Sequence, residues 1–464
     1  MVSVSKLING GLIASGQTVF QQLATPEQSS VQQYNIVRYL GGQGPYISAT
    51  GSGISTDIPS QCSIEQVQVI HRHGERFPTT NKGQKFERIM DKFNNYANIF
   101  QGPLQFLNDY EYFVTDPSYY DMETTPENSN GLYAGTTDAL RHGAAFRARY
   151  NSLYNQSEVL PVFTSSNTRV WQTSQYFIRG FLGDQYDPEH FKTVILSEDD
   201  EMGANSLTPA SSCSAWDAEE KQTVIDQYNL DYLKDIQKRL LEKNKGLNLT
   251  TDDVQLLFDW CAYEINVRGS SPFCDLFTQD ELVKNEYYID LSQYYYDGNG
   301  NSAVLPIGSV LFNASLNLLK DSDSNNKIWL SFTHDTDIEN YLAAVGIFQP
   351  ENDLTPEYIP YPNIYHHAEM VPQGARVYTE KYKCNDDSSY VRYIVNDAVI
   401  PIKNCSSGPG FSCEFHHFEN YVHDRLKGVN YADQCKIGNA TSELSFYWDY
   451  NEVNYDAKLS RFSY

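Results

Sequence analysis

Three stretches of the chain share one pattern: a short apolar run, a polar loop, then apolar positions at helical spacing. Val67-Gln68-Val69-Ile70 alternates as a strand does and runs into His71-Arg72-His73-Gly74-Glu75-Arg76-Phe77-Pro78. Val162-Phe163 predicts a second strand, which enters Thr164-Ser165-Ser166-Asn167-Thr168-Arg169. Beyond it Val170, Trp171, Ser174, Phe177, Ile178 and Phe181 recur at helical spacing, and Gly183 is a stop signal. Ile328-Trp329-Leu330-Ser331-Phe332 predicts a third strand, meeting Thr333-His334-Asp335, and Ile338, Tyr341, Leu342 and Val345 set out a helix from Thr336 to Val345. Tyr390 to Val395 and Ala398 to Ile402 flank Asn396-Asp397, a two-residue hairpin signal.

Units of this kind predict an α/β fold: a large, doubly wound, mostly parallel sheet domain with a smaller inserted α-helical domain. In such a sheet the loops after the carboxyl ends of neighbouring strands gather at one crevice, where helix N-termini aim N–H groups at an anion. Residues 82–160 and 216–296 are richer in helical patterns and Tyr, and read as a helical cap over that crevice. That leaves residues 55–81, 161–215 and 297–464 for the α/β core, and 1–54 as an N-terminal extension. No internal repeat or Pro/Ser-rich linker separates these parts, so they interleave. Gly41-Gly42-Gln43-Gly44-Pro45 lacks the Lys-Ser/Thr ending of a phosphate loop and reads as a plain turn.

Composition narrows the class. The 464 residues suffice for two or three average domains, or for one large domain with an insertion. Hydrophobic residues make up 41% of them, and Tyr (35) and Phe (23) far outnumber Met (5), which points to rigid aromatic packing. No apolar run approaches the roughly 18 to 20 residues that cross a bilayer, so the chain reads as soluble. A formal charge of −25 and a pI near 4.7 repel nucleic acid and anionic membranes, and neither is expected as a partner. The same field repels a polyanionic substrate unless the site carries its own bases or acid protonates the carboxylates. The balance fits a protein that works in acid.

Eight cysteines (Cys62, Cys213, Cys261, Cys274, Cys384, Cys405, Cys413 and Cys435) include no CxxC pair of the kind that clips zinc. Glycosylation sequons begin at Asn155, Asn248, Asn313, Asn404 and Asn439. Together they favour the secretory pathway, hence a secreted, cell-wall or periplasmic protein. The N-terminus agrees only in part: Asn9, Gly10 and Gly11 interrupt the apolar run, which makes a poor signal peptide. If retained, the stretch from Val2 to Leu23 is apolar enough to pack on another subunit, and a homo-oligomer is expected.

The chemistry lies in the three loops. Arg72-His73-Gly74-x-Arg76-x-Pro78 flanks one imidazole with two guanidiniums, and arginine suits bidentate recognition of phosphate oxygens. Taken alone, Arg169 reads as a surface or capping arginine and His334-Asp335 as a turn that caps the next helix. Their placement, each between an apolar strand and an amphipathic helix, makes all three loops converge on a phosphate-sized hole. His366-His367 and His416-His417 lack acidic or Cys companions at ligand spacing and read as surface or structural residues. No metal site and no cofactor are expected.

These motifs resemble the histidine acid phosphatase family, in its budding-yeast branch of secreted acid phosphatases and phytases. The resemblance spans Arg72 to Arg76, Phe163 to Arg169, Ser331 to Asp337, Val371-Pro372-Gln373-Gly374-Ala375-Arg376 and Tyr390 to Asp397. It implies His73 as the nucleophile, Asp335 as the proton donor to the leaving oxygen, and Arg72, Arg76, Arg169 and His334 as phosphate-binding groups, with Thr79 touching substrate. It further implies the disulfides Cys62–Cys384, Cys213–Cys435, Cys261–Cys274 and Cys405–Cys413. His71 departs from the pattern, which has a small residue there. A small phosphate monoester is the implied substrate, with phytate (inositol hexakisphosphate) preferred over a broad range of monoesters. Two rivals stay open: a mutase of the phosphoglycerate type, which shares the Arg-His-Gly start, and a non-catalytic secreted binding protein on the same scaffold.

Overall fold

The computed structural model describes residues 36–322 and 324–461. The three predicted strands are β1 (Cys62–Arg72), β2 (Leu160–Ser165) and β4 (Ile328–Thr333), side by side in one sheet. β3 (Phe191–Leu196), β5 (Arg376–Cys384), β6 (Ser389–Val395), β7 (Ala398–Ile400) and the short β8 (Cys413–Glu414) complete it. The order is β3-β2-β4-β1-β5-β6-β7, with β8 on β6. β3, β2, β4 and β1 run parallel. β5 to β8 continue the sheet antiparallel. The expectation of a mostly parallel sheet therefore holds only for the half in which the three loops meet. Connection length accounts for part of the difference: β1 to β4 are joined by long, helix-containing crossovers, whereas β5, β6 and β7 follow one another through short turns that reverse the chain. One of these is Asn396-Asp397, both at positive φ (45° and 65°) as a two-residue hairpin needs.

Helices cover both faces. The main ones are α1 (Thr80–Asn94), α2 (Gly135–Tyr150), α3 (Thr168–Leu182), α4 (Asp231–Glu242), α5 (Thr251–Arg268), α6 (Gln279–Tyr296), α7 (Val304–Lys320), α8 (Asp335–Val345) and α9 (Phe415–Arg425). One face packs Val67, Val69, Val162, Leu330 and Phe332 against Phe146, Phe177 and Phe181 of α2 and α3. The other packs Ile70, Phe163 and Trp329 in a core shared with α7 and α8, which runs on into α1 and α4 to α6. Gln66 and Gln68, the polar positions of the β1 alternation, are buried rather than solvated. Their side-chain amides donate to the Leu318 and Ser315 carbonyls of α7 at 2.9 and 3.0 Å.

Two stretches near the expected boundaries pack on the sheet and its core. α2 falls in the stretch read as helical cap, yet it lies flat on α3 and the sheet. Gly143 and Gly180 permit that crossing, since a Cβ on either would stand 1.9 Å from a carbonyl oxygen of the opposite helix. Val37, Leu40 and Ile47, read as part of an N-terminal extension, are buried in the larger core. The Val2 to Leu23 stretch lies outside the described residues. The four disulfides close as the resemblance implies, with Cα–Cα distances of 3.9, 4.4, 5.0 and 4.8 Å in chain order. All five sequon asparagines are exposed. Among the described residues no helix is long and apolar enough to cross a membrane.

Candidate active site

Strand register decides where the site forms. Arg72 of β1 lies level with Thr333 of β4, so His73 and His334 leave the sheet side by side, their rings 5.9 Å apart and edge to face. β2 supplies the third loop, where Asn167 caps α3 by accepting the Arg169 backbone N–H at 3.3 Å. Arg76, Arg169, His334 and Asp335 line one cavity of about 320 Å³, with Trp216 and Tyr296 in its wall. Buried His73 and Arg72 pack against these groups. A larger cavity, about 470 Å³, opens between α2 and the sheet. It contains none of Arg72, Arg76, Arg169 and His334, so the smaller cavity is the candidate site.

Hydrogen bonding fixes the tautomer of His73. Its Nδ1 is 2.8 Å from the Gly74 carbonyl, which can only accept, so Nδ1 carries the proton and Nε2 the lone pair. Burial first, then Arg169, Arg72, Arg76 and His334, push the imidazole well below its usual range for taking a second proton.

Arg72 is fully buried and fixed at both ends. Nη1 donates to the Gly42 carbonyl at 2.6 Å and to the Val371 carbonyl, while Nη2 donates to Asp335 at 2.7 Å. Burial alone would raise the Asp335 carboxyl, but Arg72, His334 and Arg76 hold it well below the usual carboxylate range. The Arg76 guanidinium donates to the Phe77 carbonyl at 2.9 Å and stands 5.5 Å from the Tyr263 ring centre. Arg169 Nη2 lies 3.5 Å from His334 Nδ1. Thr79 is not among the residues lining the cavity; it is the N-cap of α1, accepting the Lys82 N–H at 3.4 Å.

Sequence spacing misplaced one histidine pair. His416 and His417 are exposed as expected. They too have carboxylates nearby, Glu419 at 3.7 Å from His416 and Glu414 at 3.9 Å from His417. His366 and His367 have closer acidic companions: α6 brings Glu286 and Asp290 to His366 at 2.7 and 3.5 Å, and Glu339 of α8 meets His367 at 2.9 Å. Glu286 and Asp290 share a helix face at i and i+4, but Glu286 is 80 residues from its partner along the chain, where spacing cannot find it. His71 likewise depends on distant residues: its Nε2 accepts from His142 Nδ1 at 2.8 Å, and His142 Nε2 accepts from the Tyr378 hydroxyl.

A family model described as the histidine phosphatase superfamily, branch 2, matches residues 63–396. The chain belongs to that family. A phytase of Candida albicans is 57% identical over 99% of this chain and all of its own. A constitutive acid phosphatase of Saccharomyces cerevisiae is 45% identical over 99% and 98%. The crystal structure of the phytase from D. castellii superposes with a TM-score of 0.91 at 52% identity, covering 96% and 97% of the two chains.

Two residues of this histidine phosphatase that sequence reasoning gave no role stand at the site. Glu198 lines the cavity and accepts from His334 Nε2 at 2.8 Å. Burial would raise its carboxyl, but His334 holds it down at about 2. A position two residues past the carboxyl end of β3 was the available signal, and the mixed composition of Phe191-Lys192-Thr193-Val194-Ile195-Leu196 hid that strand. Gln373 accepts the Arg76 N–H at 2.7 Å and so fixes the loop that carries His73.

Proposed function

We propose that the protein is a secreted acid phosphomonoesterase that works through a phosphohistidine on His73, with inositol hexakisphosphate as its preferred substrate. The observation that carries this reading is a neutral His73 imidazole, Nδ1 tied to a carbonyl, set among Arg72, Arg76, Arg169 and His334. Those groups hold the phosphoryl oxygens, and the arginines stabilise their charge in the transition state. His73 Nε2 forms a bond to phosphorus as the P–O ester bond breaks, and Asp335 gives its proton to the departing oxygen. Water then attacks the phosphohistidine, returns a proton to Asp335 and releases phosphate from His73.

Asp335 must be protonated for the first step, while Arg72, donating to it at 2.7 Å, favours its ionised form. A bound phosphate offers Arg72 Nη2 another acceptor and offsets the arginine charge, and acid supplies the proton. The phytase relatives support the inositol substrate. The aromatic wall of Trp216 and Tyr296, rings 4.7 Å apart edge to face, favours the competing reading of a broad-specificity acid phosphatase able to take an apolar leaving group. Rates on phytate and on p-nitrophenyl phosphate at about pH 4.5 in EDTA decide between them. Activity abolished by EDTA, or absent on both, would sink the mechanism. The closed disulfides and exposed sequons support secretion. Assembly through the N-terminal stretch belongs to the same reading, and light scattering from a monomer would refute it.

A further inference from the structure

The Gly-Gly-Gln-Gly turn and the His366-His367 pair, both set aside on sequence grounds, meet at Arg72. We propose that His367 and Glu339 are positioning residues that aim the phosphate-binding guanidinium of Arg72 by fixing the Gly42 carbonyl. The inference rests on the reading of Arg72 as a phosphate-holding group.

The Gly42 N–H donates to His367 Nδ1 at 2.8 Å, and His367 Nε2 meets Glu339 Oε1 at 2.9 Å. Because Nδ1 accepts, the ring proton sits on Nε2 and is donated to the carboxylate. Glu339 Oε2 in turn accepts the Tyr365 hydroxyl at 3.0 Å. His367 and Glu339 are 2% and 1% exposed, so water cannot substitute for these bonds. On the other side of the same residue, the Gly42 carbonyl accepts Arg72 Nη1. The fit leaves no room for a side chain: a Cβ on Gly42 would stand 2.6 Å from His367 Cε1, 3.0 Å from the Val371 oxygen and 3.2 Å from Arg72 Nη1.

One helix closes the arrangement. Asp335 and Glu339 occupy positions i and i+4 of α8 and so share a face. Asp335 takes Arg72 Nη2 directly, while Glu339 reaches Nη1 through His367 and Gly42. An arginine that must release Asp335 and turn to a phosphate needs one end that does not move, and the Gly42 carbonyl provides it.

The test compares His367→Leu with His367→Asn in the full chain. Asn keeps an acceptor near the Nδ1 position, and Leu keeps only bulk. His367→Leu should lower kcat/KM on p-nitrophenyl phosphate by about 10- to 100-fold, the scale of a small misplacement of a binding group. Its inhibition constant for inorganic phosphate should rise in step. His367→Asn should recover most of both. A folded His367→Leu protein with unaltered phosphate inhibition and kcat/KM would overturn the proposal. So would a folded Asn variant as impaired as Leu. Should His367→Leu fail to fold, a phosphate-bound crystal structure of the unaltered protein decides: Nη1 must stay on the Gly42 carbonyl while Nη2 turns to phosphate, and a guanidinium that leaves Gly42 refutes the clamp. Unaltered protein that neither hydrolyses nor binds phosphate would instead count against the proposed function itself.

Discussion

His73 and Asp335 face opposite demands: burial first and the arginines next disfavour a second proton on the imidazole, and the same arginines make the carboxyl reluctant to hold a proton. Asp335→Asn preserves shape but removes the transferable proton. Turnover of phytate, which releases a poor alkoxide, should then fall by about 100- to 10,000-fold. Phosphoenzyme formation from p-nitrophenyl phosphate, followed by rapid quench, should survive at a measurable rate. Equal losses on both would make Asp335 a binding group. A second prediction concerns His71 and His142. Burial first and Arg376 second lower both imidazoles, His71 to about 3. The folded state thus excludes a proton that the unfolded chain accepts below about pH 6.5. The stability they confer is complete above that pH and declines as pH falls towards their folded values, by up to about 1.4 kcal/mol per pH unit for each ring. His142→Gln should therefore flatten the decline of melting temperature between about pH 6.5 and pH 4. An unaltered slope would mean the relay does not govern acid stability.

At the scale of elements, the crossing of α2 and α3 links packing to the site. Gly143 and Gly180 bring the two backbones into contact, and α3 carries Arg169 in its first turn. Gly143→Ala should push the helices apart and cost about 1–3 kcal/mol, read as a lower urea midpoint. Phosphate inhibition should weaken with it, because Arg169 moves with α3. Weaker stability with unaltered inhibition would show that the crossing serves only the core. We propose the division into sheet unit and helical cap with α2 assigned to the sheet unit, where Phe146 stacks on Tyr378 of β5 at 5.9 Å. Of the strands legible in the sequence, β2 and β4 are buried at every position and so read as apolar runs. β5 was hidden, because its Glu380 is fully buried and paired with Arg392 at 2.7 Å. A charge neutralised by a partner elsewhere in the chain looks, in one dimension, like a solvated position.

At the scale of the whole molecule, long-range staples shape the site. Cys213–Cys435 spans 222 residues and ties the segment leading to Trp216 in the cavity wall to the end of the chain. Replacing both cysteines by serine should cost about 2–5 kcal/mol by thermal unfolding and raise KM through a loosened wall. Unaltered KM would show that the wall holds without the bridge. The sequence by itself determined the three strand–loop–helix units and the chemistry of their loops, because local periodicity and residue type need no partner to be read. Through family resemblance it also carried the cysteine pairing. Only the tertiary structure decided that the sheet turns antiparallel beyond β1, that α2 packs on it, and that Glu198 faces His334. The same holds for the Gly42 turn, which meets His367 across 325 residues of chain. These pairings bring together groups far apart in sequence, and burial determines the strength of their contacts, so spacing along the chain carries no trace of them.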